Sequence, residues 1–165
     1  MKVLGFAQEV NRSAQCFYEE MAVHAENDGV SRIFHMLASE EKRLDIVHGR
    51  HAGVEGYDSP TLDKGINVFE QLRRLEDHFE VADDVAAYRL ALNAEKEVLH
   101  QYETAAEAED DPELKELLCE IAEEERRLLE EIENLYDFSN APNNFLAWGE
   151  FSNLGEFSNF GREIA

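Results

Sequence analysis

Three glutamates stand where helices should bury only apolar side chains. The stretch Leu37-Ala38-Ser39-Glu40-Glu41-Lys42-Arg43-Leu44 returns as Ile121-Ala122-Glu123-Glu124-Glu125-Arg126-Arg127-Leu128. At helical spacing Glu41 shares a face with Phe34, Leu37, Ala38, Leu44 and His48, and Glu125 shares one with Ile121, Ala122, Leu128 and Leu129. Glu95 falls among Ala91, Leu92, Val98 and Leu99, and Asn11 between Ala7, Ala14 and Tyr18. An isolated buried carboxylate takes a proton, a partner or a metal, and three that converge cannot all stay charged in a dry core.

Two chemistries satisfy such a cluster. In one, Glu41, Glu95 and Glu125 hold a cation, with the Asn11 carbonyl as a tentative fourth oxygen. An all-oxygen set suits manganese, magnesium or calcium, and ferrous iron less selectively. In the other, the carboxyls share protons and take hydrogen bonds from Tyr18, Tyr102 and Asn11. The neighbours Glu40, Glu123 and Glu124 read as solvated charges. His48 lies seven residues past Glu41, about 10 Å along a helix axis. His24, His35 and His100 sit off the apolar stripes, so the histidines read as structural or surface residues.

Long helices must position these side chains. Residues 2 to 27 carry Val3, Ala7, Val10, Ala14, Phe17 and Met21 at spacings of three and four, ended by Asn27-Asp28-Gly29. A second helix spans about Ser31 to Val47, with Gly49 and the Gly53 to Pro60 loop as its stop. Thr61 to Val81 reads as a crossover in which Phe69, Leu72, Leu75 and Phe79 mark a short helix. A third helix begins at Asp83-Asp84 and runs to about Ala108. The fourth begins at Asp111-Pro112, a cap followed by proline in the first turn. The expected architecture is all-α: a four-helix bundle over residues 1–137, then an irregular aromatic tail over 138–165. In that tail Glu150-Phe151-Ser152-Asn153-Leu154-Gly155 is followed at once by Glu156-Phe157-Ser158-Asn159-Phe160-Gly161, with a looser copy at Asp137-Phe138-Ser139-Asn140.

Composition sets the outer limits. A chain of 165 residues can bury a full core. The formal charge is -22, which repels nucleic acid and anionic membrane surfaces and concentrates cations. No apolar run reaches the length of a membrane span, and the apolar residues before Gln8 are too few for a secretory signal, so a cytoplasmic location is expected. Cys16 and Cys119 are too few for a structural zinc site and read as reduced thiols.

The two halves repeat. Glu41 and Glu125 lie 84 residues apart, and the same interval joins Tyr18 to Tyr102, Leu44 to Leu128, Ala38 to Ala122 and Asn11 to Glu95. The unit is a helix pair used twice, and two such pairs joined by a long crossover make a bundle with approximate two-fold symmetry. An acidic residue seven before a tyrosine, followed by Leu-Ala-x-Glu-Glu, resembles the rubrerythrin-like branch of the ferritin-like proteins over about residues 1 to 136. The resemblance implies a ligand set of one glutamate from the first helix and a Glu-x-x-His from the second helix of each pair, binding two irons. Glu95, Glu41 and Glu125 match three of those ligands. Asn11 stands where the other first-helix glutamate belongs, and Leu44 and Leu128 where both histidines belong.

The resemblance implies a ferritin-like metal-binding protein related to iron- or peroxide-handling oxidoreductases. The reduced ligand set points to one divalent metal ion, iron or manganese, in place of an intact di-iron centre. It also implies a homodimer. The alternative is an inactive bundle retained as a scaffold, binding a protein partner through the 138–165 tail.

Overall fold

The computed structural model describes residues 2–51, 57–74 and 83–140, with side chains given outside 50–51 and 136–140. Their regular structure is helical: α1 (Val3–His24), α2 (Asp28–His51), a single 3-10 turn (Leu62–Lys64), α3 (Val68–Arg74), α4 (Asp84–Ala108) and α5 (Pro112–Asn140). α1 packs along α2, and α4 along α5, as two hairpins with short connections. The apolar stripes make the core. Val3, Ala7, Val10, Ala14 and Phe17 of α1 are almost wholly buried, as are Phe34 and Leu37 of α2, Ala91 and Val98 of α4, and Leu118 and Ile132 of α5. Each fully buried large apolar side chain contributes about 1.5–3 kcal/mol through loss of contact with water.

Local chemistry starts each helix. The Asp83 side chain accepts from Ala86 N at 2.7 Å, and Asp111 Oδ1 accepts from Glu113 N and Leu114 N at 3.0 and 2.9 Å. Asn27 was expected to end the first helix. Instead α1 stops at His24, and Asn27 Oδ1 accepts from Gly29 N and Val30 N, so Asn27-Asp28-Gly29 opens α2. Ser31 Oγ then donates to Ala22 O at 2.7 Å, closing the hairpin.

The second helix also runs past its expected stop, to His51. Gly49 is helical, and its missing side chain makes room for α1: a Cβ there would lie 2.9 Å from Gln8 Nε2. α5 continues to Asn140, beyond the expected start of the irregular segment. The rest of the expected tail, including both Glu-Phe-Ser-Asn-x-Gly copies, lies outside the described residues, as do Leu75 and Phe79 of the crossover.

Polar ties join the hairpins and the crossover. The Asp84 carboxylate accepts from Glu26 N and Asn27 N at 3.1 and 3.2 Å, tying the α1–α2 turn to the start of α4. The Gln101 side chain exchanges two hydrogen bonds with the Ile66 backbone, 2.6 and 2.9 Å, which pins the crossover along α4. Val3 N donates to Tyr57 O at 3.0 Å, so the returning loop satisfies one of the free N–H groups at the uncapped start of α1. Aromatic rings fill the interface between hairpins: Phe34 of α2 stacks on Tyr88 of α4 at 5.0 Å, and Phe6 of α1 meets Tyr102 of α4 edge-on at 5.9 Å.

Candidate metal centre

All six candidate residues are buried. Asn11, Glu41 and Glu95 are each 1% exposed, Glu125 is 2%, and Tyr18 and Tyr102 are 0%. They come from all four long helices. Leu44 and Leu128, one turn past Glu41 and Glu125, are buried as well, so apolar side chains take the positions where the resemblance implies histidines. His24, His35 and His100 are exposed.

The hydrogen bonds divide the cluster unevenly. Tyr18 Oη donates to Glu95 Oε1 at 2.5 Å across the two hairpins. Asn11 Nδ2 donates to Glu41 Oε2 at 2.8 Å, while Asn11 Oδ1 accepts from His48 Nδ1 at 2.8 Å. The amide therefore presents a donor to the cluster, and its carbonyl faces away toward His48. His48 Nε2 meets Glu124 Oε2 at 3.2 Å. His48 is 3% exposed and belongs to the polar network, which its separation from Glu41 along one helix did not show. Asn11, from a neighbouring helix, spans the gap. Glu124, expected to be a solvated charge, is half-buried and paired.

Within the cluster, four buried oxygens have no hydrogen-bond partner among the described residues: Glu41 Oε1, Glu95 Oε2, Glu125 Oε1 and Tyr102 Oη. Tyr18 donates to Glu95, and the sequence interval that joins Tyr18 to Tyr102 joins Asn11 to Glu95. The Asn11 amide is turned toward Glu41 and His48.

Burial sets the protonation of the group. Desolvation, and then the charges of Glu95 and Glu125, raise the Glu41 carboxyl well above the ordinary range. Desolvation followed by repulsion from Glu95 and Glu124 does the same to Glu125. Glu95 is pushed up to about 7, mainly by desolvation, against which the hydrogen bond from Tyr18 favours its anion. Both tyrosines are raised by desolvation and by the nearby carboxylates, so they stay protonated. Glu124 is lowered, first by its hydrogen bond to His48.

Burial therefore favours the protonated form of these carboxyls. Among the described residues, no group of three or more His, Cys, Asp or Glu is set to hold a metal ion as they stand. The di-iron ligand set does not fit: leucines replace both histidines, and the residue replacing the fourth glutamate already has both amide atoms engaged. One oxygen of each glutamate has no hydrogen-bond partner, and oxygen is the donor type that a hard divalent cation takes.

No helix among the described residues is long and apolar enough to cross a membrane. No curated protein and no solved structure matches the chain. The family model for rubrerythrin matches residues 2–136, the whole of the paired-helix region that carries the glutamates. With its two hairpins and its inward Glu41, Glu95 and Glu125, the chain belongs to the rubrerythrin family.

Proposed function

We propose that the chain binds one divalent cation, iron or manganese, in the bundle core through Glu41, Glu95 and Glu125. The observation that carries this reading is the set of unpartnered buried oxygens, one on each glutamate. Leaving a buried acceptor unpaired costs about 1–3 kcal/mol, and a bound cation is one way to satisfy such oxygens. Membership of the rubrerythrin family supports a metal-binding core in general. Protons and a cation compete for the same oxygens, so binding releases protons, and the protonated carboxyls are the cation-free side of that exchange.

Each residue has a part in this reading. Tyr18 holds Glu95 Oε1, which leaves Glu95 Oε2 for the ion. Asn11 holds Glu41 Oε2, which leaves Glu41 Oε1. Bound iron would supply one-electron redox chemistry, the basis for an iron- or peroxide-handling role. Elemental analysis of protein purified without chelator tests the reading. One equivalent of metal per chain, lost in Glu41→Ala and Glu125→Ala, supports it. Protein that stays metal-free after anaerobic iron and manganese loading contradicts it.

A further inference from the structure

The outer face of α2 does not match its counterpart in the repeat. Its exposed residues between positions 32 and 46 include Arg32, Lys42 and Arg43, and none of them is acidic. Met36 and Ile46 share that face, 46% and 48% exposed. The half-buried carboxylates beside it, Glu40 and Asp45, are paired with Arg43 and Arg12. On α5 the interval of 84 residues sets Glu116, Glu120, Glu123 and Glu130 at the places of Arg32, Met36, Ser39 and Ile46. All four glutamates are exposed. Core packing fixes none of these outward positions, and 37 acidic residues stand against 15 basic ones, so a face without exposed acid calls for another cause.

Such a face fits a segment that joins carboxylates to aromatic rings. The chain carries one, since Glu150-Phe151 and Glu156-Phe157 open the two copies of Glu-Phe-Ser-Asn-x-Gly. Its carboxylates complement Arg32 and Lys42, and its phenyl rings suit the Met36 thioether and the Ile46 side chain. Position favours it too. The Asp84 carboxylate at the start of α4 holds Glu26 N and Asn27 N just before α2, and α5 folds back along α4 to that end. α5 therefore finishes where α2 begins, and the two helices meet through His48 and Glu124 at 3.2 Å. Residues 141–149 can span about 30 Å, against about 8–10 Å between the axes of packed helices. A second copy is the poorer occupant. It brings the same charge of -22, whereas a tethered segment meets the face at an effective concentration on the order of millimolar.

We propose that residues 150–161 dock on the outer face of α2 of their own chain, between Arg32 and Ile46. The docking is independent of the core glutamates and stands with or without a bound cation.

Met36 can report on this contact, because the methionines of the chain are Met1, Met21 and Met36. The test is the methyl NMR spectrum of the full-length protein carrying 13C-methyl methionine. The Met36 methyl should show Overhauser cross-peaks to phenyl protons, and Phe151→Ser with Phe157→Ser should remove them and shift its signal. The Met21 signal, from a side chain 7% exposed in the core, should stay in place and show that the bundle is intact. Arg32→Glu with Lys42→Glu should change Met36 in the same way, and Glu120→Lys on α5 should not. Identical Met36 signals in wild type and the phenylalanine variant overturn the docking. So does a wild-type Met36 signal in Arg32→Glu with Lys42→Glu. Labelled phenylalanine variant mixed with unlabelled wild type separates the occupants. Return of the wild-type Met36 signal there means that other copies fill the face, which overturns docking within one chain.

Discussion

Tyr18 donates to Glu95 at 2.5 Å, whereas Tyr102, 84 residues later in the sequence, has no hydrogen-bond partner among the described residues. The two tyrosines are equally buried, yet only one is satisfied.

The two tyrosines should therefore respond differently to removal of the hydroxyl. Tyr18→Phe takes a donor from a buried carboxylate and should cost about 1.5–3 kcal/mol. Tyr102→Phe removes a hydroxyl with no partner and should fall within about 1 kcal/mol of wild type, in either direction. Denaturant unfolding of both variants in chelator is the check. Equal losses would mean that Tyr102 has an acceptor.

Stability of the cation-free protein should fall as pH rises through neutrality. The folded-state pKa of Glu95, about 7, lies above its ordinary 4.5. Its contribution is therefore fully present below about 4.5 and is lost as pH rises through about 7, a change on the order of 3 kcal/mol. Glu41 and Glu125 are raised in the same sense and carry the loss to higher pH. Glu124 is lowered, and its contribution runs the other way, lost as pH falls. Glu95→Gln isolates the core term: its melting temperature should decline less than that of wild type between about pH 5 and pH 8. An identical decline in both proteins would remove Glu95 from the account.

Restoring the missing ligands should restore the second site. Asn11→Glu with Leu44→His and Leu128→His rebuilds the ligand set that the rubrerythrin resemblance implies. The triple variant should bind two equivalents of ferrous iron anaerobically. Without metal it should be less stable than wild type, because it buries polar groups where leucines now pack. Capacity unchanged from wild type would show that the family alignment of these positions is wrong.

Much of this was legible in the sequence. The 3.6-residue stripes place Glu41, Glu95, Glu125 and Asn11 inward, and all four are buried. Asp83 and Asp111 mark helix starts because a carboxylate before a helix accepts from the free N–H groups of its first turn. Asn27-Asp28-Gly29 misled because the same residue types end one helix and begin the next; only three residues separate α1 from α2. Gly49 misled because its lack of a side chain serves the approach of Gln8 instead of a break. His48 and Glu124 were missed for a different reason. Their connection to Glu41 runs sideways through Asn11 on another helix, and spacing along a single chain segment carries no record of that.

An anaerobic Mn2+ titration of the chelator-stripped full-length protein at about pH 8, where protons compete least, tests the central claim most directly. Three core glutamates holding one cation predict a break at one equivalent per chain, with proton release, and no tight binding in Glu125→Gln. A break at two equivalents, or no binding at all, contradicts it.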